Sequence, residues 1–309
     1  MIIILGPTAS GKTAIGTKIA FQVKGEIISA DSRQVYKQMD LGTGKDLNEY
    51  IVDSVQIPYH LIDICNAGTR YNLFRYKQDF ASAYRDILNR NKCPLVIGGT
   101  GMYLDAIVFN YQMEEVPFNQ PMRNIMKNKS REELINWLSS LVQLHNSTDT
   151  TDRNRLERAI EIAEYQKDKK ACSEITYPNI IFGIHIEREE LKRKIDQRIE
   201  VRMEMGMVKE VEKLMNESNI SPDDLKYYGL EYRVITSYLL GELNQVEMMA
   251  ELKRGIYAFA KKQMTWFRRM EKKGAFIHWI DGKKTMDEKM NIIRSYLKEA
   301  SFTGYNCSW

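Results

Sequence analysis

Short apolar runs alternate with segments of helical spacing through the first hundred residues. The runs at 2–5, 26–30 and 94–97 each end at a glycine or an acidic residue. The segments at 12–23 and 72–89 have the polar and apolar spacing of helices. Runs this short and this apolar are typical of strands buried on both faces of a parallel sheet. The pattern therefore predicts an α/β fold with a parallel sheet core flanked by helices.

The pattern changes after about residue 110. Residues 114–178 contain helical segments broken by polar turns and no strand-like run. The strongest of these segments are 131–144 and 151–168. Residues 179–186 then resemble a strand that returns to the sheet, and long charged helices follow. We therefore predict a core made of 1–113 and 179–309, with a small all-helical insertion domain at 114–178.

The composition is typical of a soluble globular protein. Of 309 residues, 43% are hydrophobic and 28% are charged, and the net charge of +4 indicates no particular partner. No apolar run reaches the roughly 20 residues that span a bilayer, and the N-terminus lacks the basic region of a secretory signal. We expect a cytoplasmic protein with reduced thiols and no zinc site, because the four cysteines are scattered: Cys65, Cys93, Cys172 and Cys307.

A glycine-rich segment between the first run and the first helix fits the pattern GxxxxGK[ST]. Its residues are Gly6, Pro7, Thr8, Ala9, Ser10, Gly11, Lys12 and Thr13. Such a loop turns backbone N–H groups around a phosphate, while Lys12 adds charge and the Thr13 hydroxyl can hold Mg²⁺. The pattern predicts a site for a diphosphate or triphosphate, and a plain glycine-rich turn is the alternative. It does not by itself distinguish ATP from other ligands of this kind.

Asp31 follows the second apolar run. Parallel strands end at the same edge of a sheet, so Asp31 should face the same side as the phosphate loop. From position alone it could be a Mg²⁺ ligand, a general base or a cap on the following turn.

Several segments, in order along nearly the whole chain, resemble the tRNA dimethylallyltransferase family. Beyond the phosphate loop they are 28–36, 39–45, 59–63, 98–103, 152–159 and 261–268. The resemblance implies transfer of a dimethylallyl group from dimethylallyl diphosphate to the exocyclic N6 amine of the adenosine just 3′ of the anticodon. The tRNAs would be those reading codons that begin with U, diphosphate would leave, and Mg²⁺ would assist. The phosphate loop would hold the prenyl diphosphate rather than ATP, and the protein would be a monomer.

The resemblance also implies roles for individual residues. Asp31 matches the family's general base, while Lys12 and Thr13 would bind the diphosphate and Mg²⁺. Arg233 matches an arginine of a Gly-Tyr-Arg motif and is the candidate second cation. The match is imperfect, because Glu231 stands where the family has glycine, and this leaves the role of Arg233 open.

Three groups of residues are the candidate contacts to the tRNA anticodon stem-loop. Near the reacting base they are Asp31, Ser32, Arg33, Gln34 and Thr100; in the insertion they are Arg123, Asn154, Arg155, Leu156, Glu157 and Arg158; towards the C-terminus they are Lys261, Lys262, Gln263, Thr265, Trp266 and Arg268. Lys261, Thr265 and Arg268 share one helical stripe, which suits a phosphate backbone. Ile256, Ala260 and Phe267 lie on a separate apolar stripe, and an ordinary solvated helix face is the alternative.

Three other functions remain open at the level of sequence. An adenylate isopentenyltransferase would share the loop and Asp31 but should lack the insertion and the basic helices. A P-loop kinase would give no reason for segments 98–103 and 261–268. A tRNA-binding protein without catalysis would not need Lys12, Thr13 and Asp31 together.

Overall fold

The computed structural model describes residues 1–111, 113–142, 152–167, 177–218 and 220–299. The chain divides into two compact units, one formed by Met1–Asn110 with Thr176–Trp309 and the other by Tyr111–Ile175. Each boundary lies within three residues of the division expected from the sequence pattern. The first unit is called the core below, and the second is called the insertion.

A six-stranded parallel sheet forms the centre of the core, with the strand order β5-β2-β6-β1-β7-β8. The strands are β1 (Ile2–Leu5), β2 (Glu26–Ala30), β3 (Ile51–Val52), β4 (Val55–Gln56), β5 (Tyr59–His60), β6 (Pro94–Gly98), β7 (Ile180–His185) and β8 (Ile277–Asp281). β3 and β4 form a separate antiparallel hairpin. The strands expected at 2–5, 26–30, 94–97 and 179–186 are confirmed, whereas β8 was not predicted.

Helices alternate with the strands along the chain and continue towards the C-terminus. They are α1 (Lys12–Gln22), α2 (Leu73–Asn89), α3 (Gly101–Val108), α4 (Gln120–Lys127), α5 (Arg131–Leu141), α6 (Arg153–Gln166), α7 (Arg188–Glu204), α8 (Met207–Asn216), α9 (Pro222–Tyr227), α10 (Leu230–Leu239), α11 (Gln245–Lys272) and α12 (Met286–Glu299), with a short 3₁₀ helix at Leu47–Tyr50. The fold is thus the predicted α/β arrangement.

The topology brings three loops to one edge of the sheet. β1, β2 and β6 are buried along their whole length, and β6 lies between the other two. Since all three strands are parallel, the loops that follow their carboxyl ends lie side by side. These loops are the phosphate loop after β1, the turn at Asp31 after β2 and the glycine-rich loop after β6.

The insertion has a small hydrophobic core of its own. Met126 of α4, Leu134 and Leu138 of α5, and Leu156 and Ile160 of α6 pack together. α5 begins with a capping box, in which the Ser130 side chain and Glu133 satisfy each other's backbone N–H groups. In its described residues the insertion is helical, as the sequence pattern predicts.

Cys65 and Cys93 are buried and neither is part of a disulfide, while Cys172 and Cys307 lie outside the described residues. In the described ranges, no group of three or more His, Cys, Asp or Glu side chains is arranged to hold a metal ion. No helix in those ranges combines the length and apolar character that crossing a membrane requires.

Candidate active site

The phosphate loop is a tight turn whose backbone requires small residues. Ala9 and Gly11 both have positive φ, at 59° and 76°. A Cβ at Gly6 would lie 2.6 Å from the Ser10 Oγ, so the loop leaves no room for a side chain there. Lys12 then begins α1. This conformation presents successive backbone N–H groups at a helix N-terminus, as anion binding requires.

The three loops line one cavity of about 600 Å³. Its wall also includes residues of α7, the N-terminus of α10 and one side of α11. Polar residues on the wall include Lys12, Thr13, Asp31, Thr100, Arg198 and Arg202. Apolar residues on the wall include Tyr50, Ile97, Leu230, Ile256 and Phe259. The cavity therefore combines an anion-binding end with apolar surface, in the size range of small-molecule sites.

Lys12 lies in an environment that lowers its pKa. Its Nζ donates to the Pro7 carbonyl at 3.4 Å. Burial, followed by the positive charge of Arg198, lowers the pKa of Lys12 to about 8, although Asp31 and Glu49 act in the opposite direction. A bound anion would raise this pKa again, because its negative charge stabilises the protonated lysine.

Two arginines of α7 supply further positive charge. Arg198 donates to the Thr8 Oγ1 at 3.2 Å and to the Asp46 Oδ2 at 2.7 Å. Arg202 also binds Asp46, at 3.2 Å, and only 11% of its side chain is exposed. The Nε of Arg202 is buried and has no hydrogen-bond partner among the described residues. A buried, unsatisfied donor on the cavity wall is the kind of group that an anionic ligand satisfies.

Arg233 is not one of the residues lining this cavity. Its side chain is 53% exposed and lies 3.9 Å from Glu251. The prediction that Arg233 serves as the second cation is therefore not supported by its position, because α10 turns it towards solvent while its neighbour Tyr232 is buried. Arg198 and Arg202 line the cavity instead, and sequence reasoning missed them because they belong to a densely charged helix.

Hydrogen bonds join the turn after β2 to the loop after β6. The Asp31 Oδ1 accepts from the Arg33 N–H at 2.9 Å, and the Thr100 Oγ1 accepts from the Ser32 N–H at 3.0 Å. The Thr100 N–H in turn donates to the Ala30 carbonyl at 3.1 Å. Asp31 lines the cavity, and the turn holds its carboxylate there. The structure thus brings Asp31 and Thr100 together, as the sequence predicted.

Gln34 and Gln263 act within the protein. The Gln34 Nε2 donates to the Gly44 carbonyl at 3.1 Å. The Gln263 Oε1 accepts from the Thr8 N–H at 2.8 Å, and its Nε2 donates to the Gly99 carbonyl at 2.9 Å. Gln263 is buried, and it ties the phosphate loop to the loop after β6. Its predicted role as a tRNA contact is therefore replaced by a structural one, because both ends of its amide are already used.

The remaining candidate residues of α11 lie at its surface. Lys261, Lys262, Thr265 and Arg268 are exposed, while Ile256, Ala260 and Phe267 are buried, so the predicted separation of the polar and apolar stripes is confirmed. Trp266 is half-buried against Gly101, where a Cβ would lie 2.4 Å from its side chain. The glycine thus lets α11 approach the loop after β6.

In the insertion, most candidate tRNA contacts are used internally. Leu156 is fully buried. Arg123 binds Glu157 at 2.7 Å and Glu161 at 2.8 Å, and Arg158 binds Glu161 at 3.0 Å. The prediction that Arg123, Leu156, Glu157 and Arg158 face tRNA is therefore not supported, since packing and ion pairs already engage them. Asn154 and Arg155, by contrast, are exposed.

The residues near Thr13 fit a magnesium ion that also binds a diphosphate. Thr13 and Glu49 both line the cavity. Burial, followed by the charge of Asp46, raises the pKa of Glu49, although the Thr13 side chain acts to lower the pKa of this carboxyl. Mg²⁺ in proteins takes one or two carboxylates and completes its shell with phosphate oxygens and water. Thr13 is a predicted ligand, whereas nothing in the sequence singled out Glu49.

His60 lies at the other end of β2. Its Nε2 is 2.8 Å from the Glu26 Oε2, and Glu26 begins the strand that Asp31 follows. Tyr59 and His60 form β5, and His60 is not among the residues that line the cavity.

Comparisons with known proteins agree with this geometry. A family model described as IPP transferase matches residues 34–270, and one described as isopentenyl transferase matches residues 1–58. Two solved structures, the tRNA isopentenylpyrophosphate transferases of Bacillus halodurans and Staphylococcus epidermidis, share 28% and 25% identity with the chain. Their TM-scores are 0.71 and 0.70. The alignment with the Bacillus halodurans structure covers 98% of this chain and 98% of that chain. The alignment with the Staphylococcus epidermidis structure covers 97% of this chain and 99% of that chain.

Named relatives are more similar in sequence. The tRNA dimethylallyltransferase 1 of Parabacteroides distasonis is 49% identical over 94% of this chain and 95% of its own length. The tRNA dimethylallyltransferase 2 of Bacteroides fragilis is 48% identical over 97% of this chain and 98% of its own length. With a P-loop sheet, a continuous alignment and the Asp31 turn in place, the chain belongs to the tRNA dimethylallyltransferase family, a family of prenyltransferase enzymes.

Proposed function

We propose that this protein transfers a dimethylallyl group from dimethylallyl diphosphate to the N6 amine of the adenosine 3′-adjacent to the anticodon, in tRNAs that read codons starting with U. The observation that carries the proposal is the cavity itself. The Asp31 carboxylate, the phosphate loop and the two arginines of α7 all line this one cavity. The named relatives are tRNA dimethylallyltransferases, which supports the same reaction.

The reaction needs a binding site for a leaving diphosphate. Lys12, Arg198, Arg202 and the backbone N–H groups of the phosphate loop would bind it, and their charge would stabilise the negative charge that grows as the C–O bond breaks. The apolar wall at Leu230, Ile256 and Phe259 would take the five-carbon tail. The cavity thus offers polar and apolar surface for the two parts of a prenyl diphosphate.

The reaction also needs a proton acceptor. As the adenine nitrogen bonds to the allylic carbon, the electron pair of the C–O bond leaves with diphosphate and the amine must lose a proton. Asp31 would accept a hydrogen bond from the amine, orient it and take that proton. The target lies in a single-stranded loop, so moving its base out of the stack costs roughly a few kcal/mol.

We infer that Mg²⁺ assists, with Thr13 and Glu49 as the residues that would hold it. When bound together with the diphosphate, the ion would supply additional positive charge to the leaving group. We further propose that the protein acts as a cytoplasmic monomer on tRNA.

The test is a transfer assay with purified protein, dimethylallyl diphosphate, Mg²⁺ and an anticodon stem-loop RNA, followed by mass analysis of the RNA. We expect a mass increase of one dimethylallyl unit on the adenosine 3′ of the anticodon, with no need for ATP. Prenylation of free AMP but not of the RNA would indicate an adenylate isopentenyltransferase. Stoichiometric ATP hydrolysis during turnover would indicate a kinase or another NTPase.

A further inference from the structure

An exposed tyrosine flanked by two arginines lies beside the cavity. Tyr227 ends α9 and is 45% exposed. The Cζ atoms of Arg33 and Arg70 lie 5.7 Å and 4.9 Å from the centre of its ring. We call Tyr227, Arg33 and Arg70 the tyrosine platform. Both guanidinium groups lie within cation–π range of the ring, about 6 Å, and the exposed fraction of Tyr227 shows that part of its side chain still faces solvent.

The parts of the platform are held in place by buried neighbours. Tyr228 is buried, its hydroxyl donates to the Thr69 carbonyl at 2.9 Å, and its ring lies 4.6 Å from that of Tyr36. The Tyr36 hydroxyl also accepts from the Tyr71 N–H at 3.0 Å. The residues on both sides of Arg70 are therefore anchored, as is the residue after Tyr227. The platform is presented by a fixed backbone rather than by free loops.

The platform adjoins the proposed reaction site. Arg33 lines the cavity, and its backbone N–H is the donor that holds Asp31. Gly229, two residues after Tyr227, also lines the cavity, and its Cβ position would lie 3.5 Å from the Arg33 Nε. A nucleotide next to one whose base reaches Asp31 could therefore meet the platform without a long detour of the RNA backbone.

The charges of the platform are not neutralised by the protein. Within the ranges that the structure describes, neither Arg33 nor Arg70 forms a salt bridge with a carboxylate. An exposed aromatic ring beside unpaired guanidinium groups is the combination that binds unstacked bases of single-stranded RNA, with the ring stacking on the base and the cations attracting the backbone. A simple surface tyrosine would need neither arginine.

We propose that the tyrosine platform stacks a nucleobase of the anticodon loop that flanks the reacting adenosine, on its 5′ or 3′ side. The proposal rests on the proposed function, and it assigns a binding role to Tyr227 and Arg70. The occupant is a base, because a phosphate alone would use the arginines and leave the ring without a ligand.

The experiment combines protein variants with abasic RNA. Affinity for an anticodon stem-loop is measured by fluorescence anisotropy for the wild type, Tyr227→Ala, Tyr227→Phe and Arg70→Ala. A second set of RNAs lacks the base on the 5′ or the 3′ side of the target adenosine but keeps every phosphate. Lys92→Ala is the charge control, since Lys92 is exposed and precedes β6, at the edge of the sheet opposite the cavity. Binding of inorganic pyrophosphate by each variant reports an intact phosphate site.

We expect Tyr227→Ala to weaken RNA binding between about fivefold and 150-fold. Tyr227→Phe should restore most of that loss, and pyrophosphate binding should not change. One of the two abasic RNAs should bind the wild type more weakly than the intact RNA does. Tyr227→Ala should bind that abasic RNA and the intact RNA with equal affinity, because both changes remove the same stacking contact.

Additive losses in Tyr227→Ala for both abasic RNAs would overturn the proposal, as would wild-type affinity of that variant. A loss in Arg70→Ala without a loss in Tyr227→Ala would mean that the surface binds a phosphate. Failure of the wild type to bind the stem-loop at all would overturn the proposed function together with the platform. If the wild type transfers the prenyl group and the platform variants bind RNA as tightly as the wild type, the platform proposal alone would be overturned.

Discussion

Asp31 is the residue on which the proposed chemistry depends most. Its carboxylate lies on the cavity wall, fixed by one hydrogen bond from the Arg33 backbone. Asp31→Asn keeps that bond and the shape of the side chain but removes the negative charge. We expect turnover to fall about 10²–10⁴-fold, while tRNA and pyrophosphate still bind, because general-base assistance is worth that much.

Single-turnover rates with saturating RNA measure this effect. Partial rescue of Asp31→Asn by high Mg²⁺ concentration would instead identify Asp31 as a metal ligand. Turnover close to that of the wild type at ordinary Mg²⁺ would leave Asp31 as a structural residue of its turn.

The lowered pKa of Lys12 leads us to expect that diphosphate binding depends on pH. Its pKa in the free protein is lowered to about 8, so the lysine is charged below that pH and loses its charge above it. Wild-type protein should bind pyrophosphate more tightly than Lys12→Met at pH 7, and the ratio of the two affinities should shrink as the pH rises through about 8. Isothermal titration calorimetry measures both affinities at each pH. Their ratio is independent of the protonation of pyrophosphate, because both proteins meet the same ligand. A ratio that stays constant to pH 9.5 would contradict the lowered pKa.

Arg198 and Arg233 form a matched pair for testing the second cation. Arg198 contacts the phosphate loop through Thr8, whereas Arg233 is half-exposed and near Glu251. We expect Arg198→Ala to weaken pyrophosphate binding about tenfold or more, since hydrogen bonds to charged groups contribute about 1.5–3 kcal/mol. Arg233→Ala should bind pyrophosphate as the wild type does. The reverse result would return the role to Arg233.

At the scale of elements, α11 presents its basic stripe away from its buried face. Removing charge at Lys261 and Arg268 should weaken tRNA binding and reduce the slope of log affinity against log salt by roughly 0.7–0.9 for each lost phosphate contact. Pyrophosphate affinity should change little. The charge-matched control is Lys18→Ala with Lys92→Ala, both of which are exposed. An unchanged salt slope would mean that the stripe is an ordinary solvated helix face.

At the scale of the whole molecule, Gln263 connects regions far apart in the chain. It links Thr8 and Gly99 through two hydrogen bonds, and truncating it would remove the partners of one part-buried and one buried backbone group. We expect Gln263→Ala to lower the free energy of unfolding by about 1–3 kcal/mol for each such group. It should also weaken pyrophosphate binding, because the phosphate loop loses a support.

Chemical denaturation measures the loss, with Val246→Ala on the same helix as the control, since Val246 is 78% exposed. Equal unfolding free energies for Gln263→Ala and the wild type would show that water replaces both hydrogen bonds.

The sequence by itself determined the features that depend on local pattern. Buried parallel strands need continuous apolar runs, which is why β1, β2, β6 and β7 could be located. The phosphate loop could be recognised because its glycines are required by the backbone conformation, and Asp31 because a parallel strand fixes the edge at which its following residue appears. The insertion was visible as a change in the pattern.

The tertiary structure decided which polar side chains share a site. Arg198, Arg233, Gln263 and Arg123 all look alike in a sequence, since a charged or amide side chain on a helix can be satisfied by water, by an ion pair or by a ligand. Arg198 contacts Thr8 and Asp46, and Arg233 lies near Glu251. Gln263 contacts Thr8 and Gly99, and Arg123 binds Glu161. These partners lie between 18 and 255 positions away. No local pattern carries contacts at such separations. These contacts follow from the packing of helices on the sheet. The packing decides which polar side chains line the cavity, which ones join two loops and which ones stay at the surface.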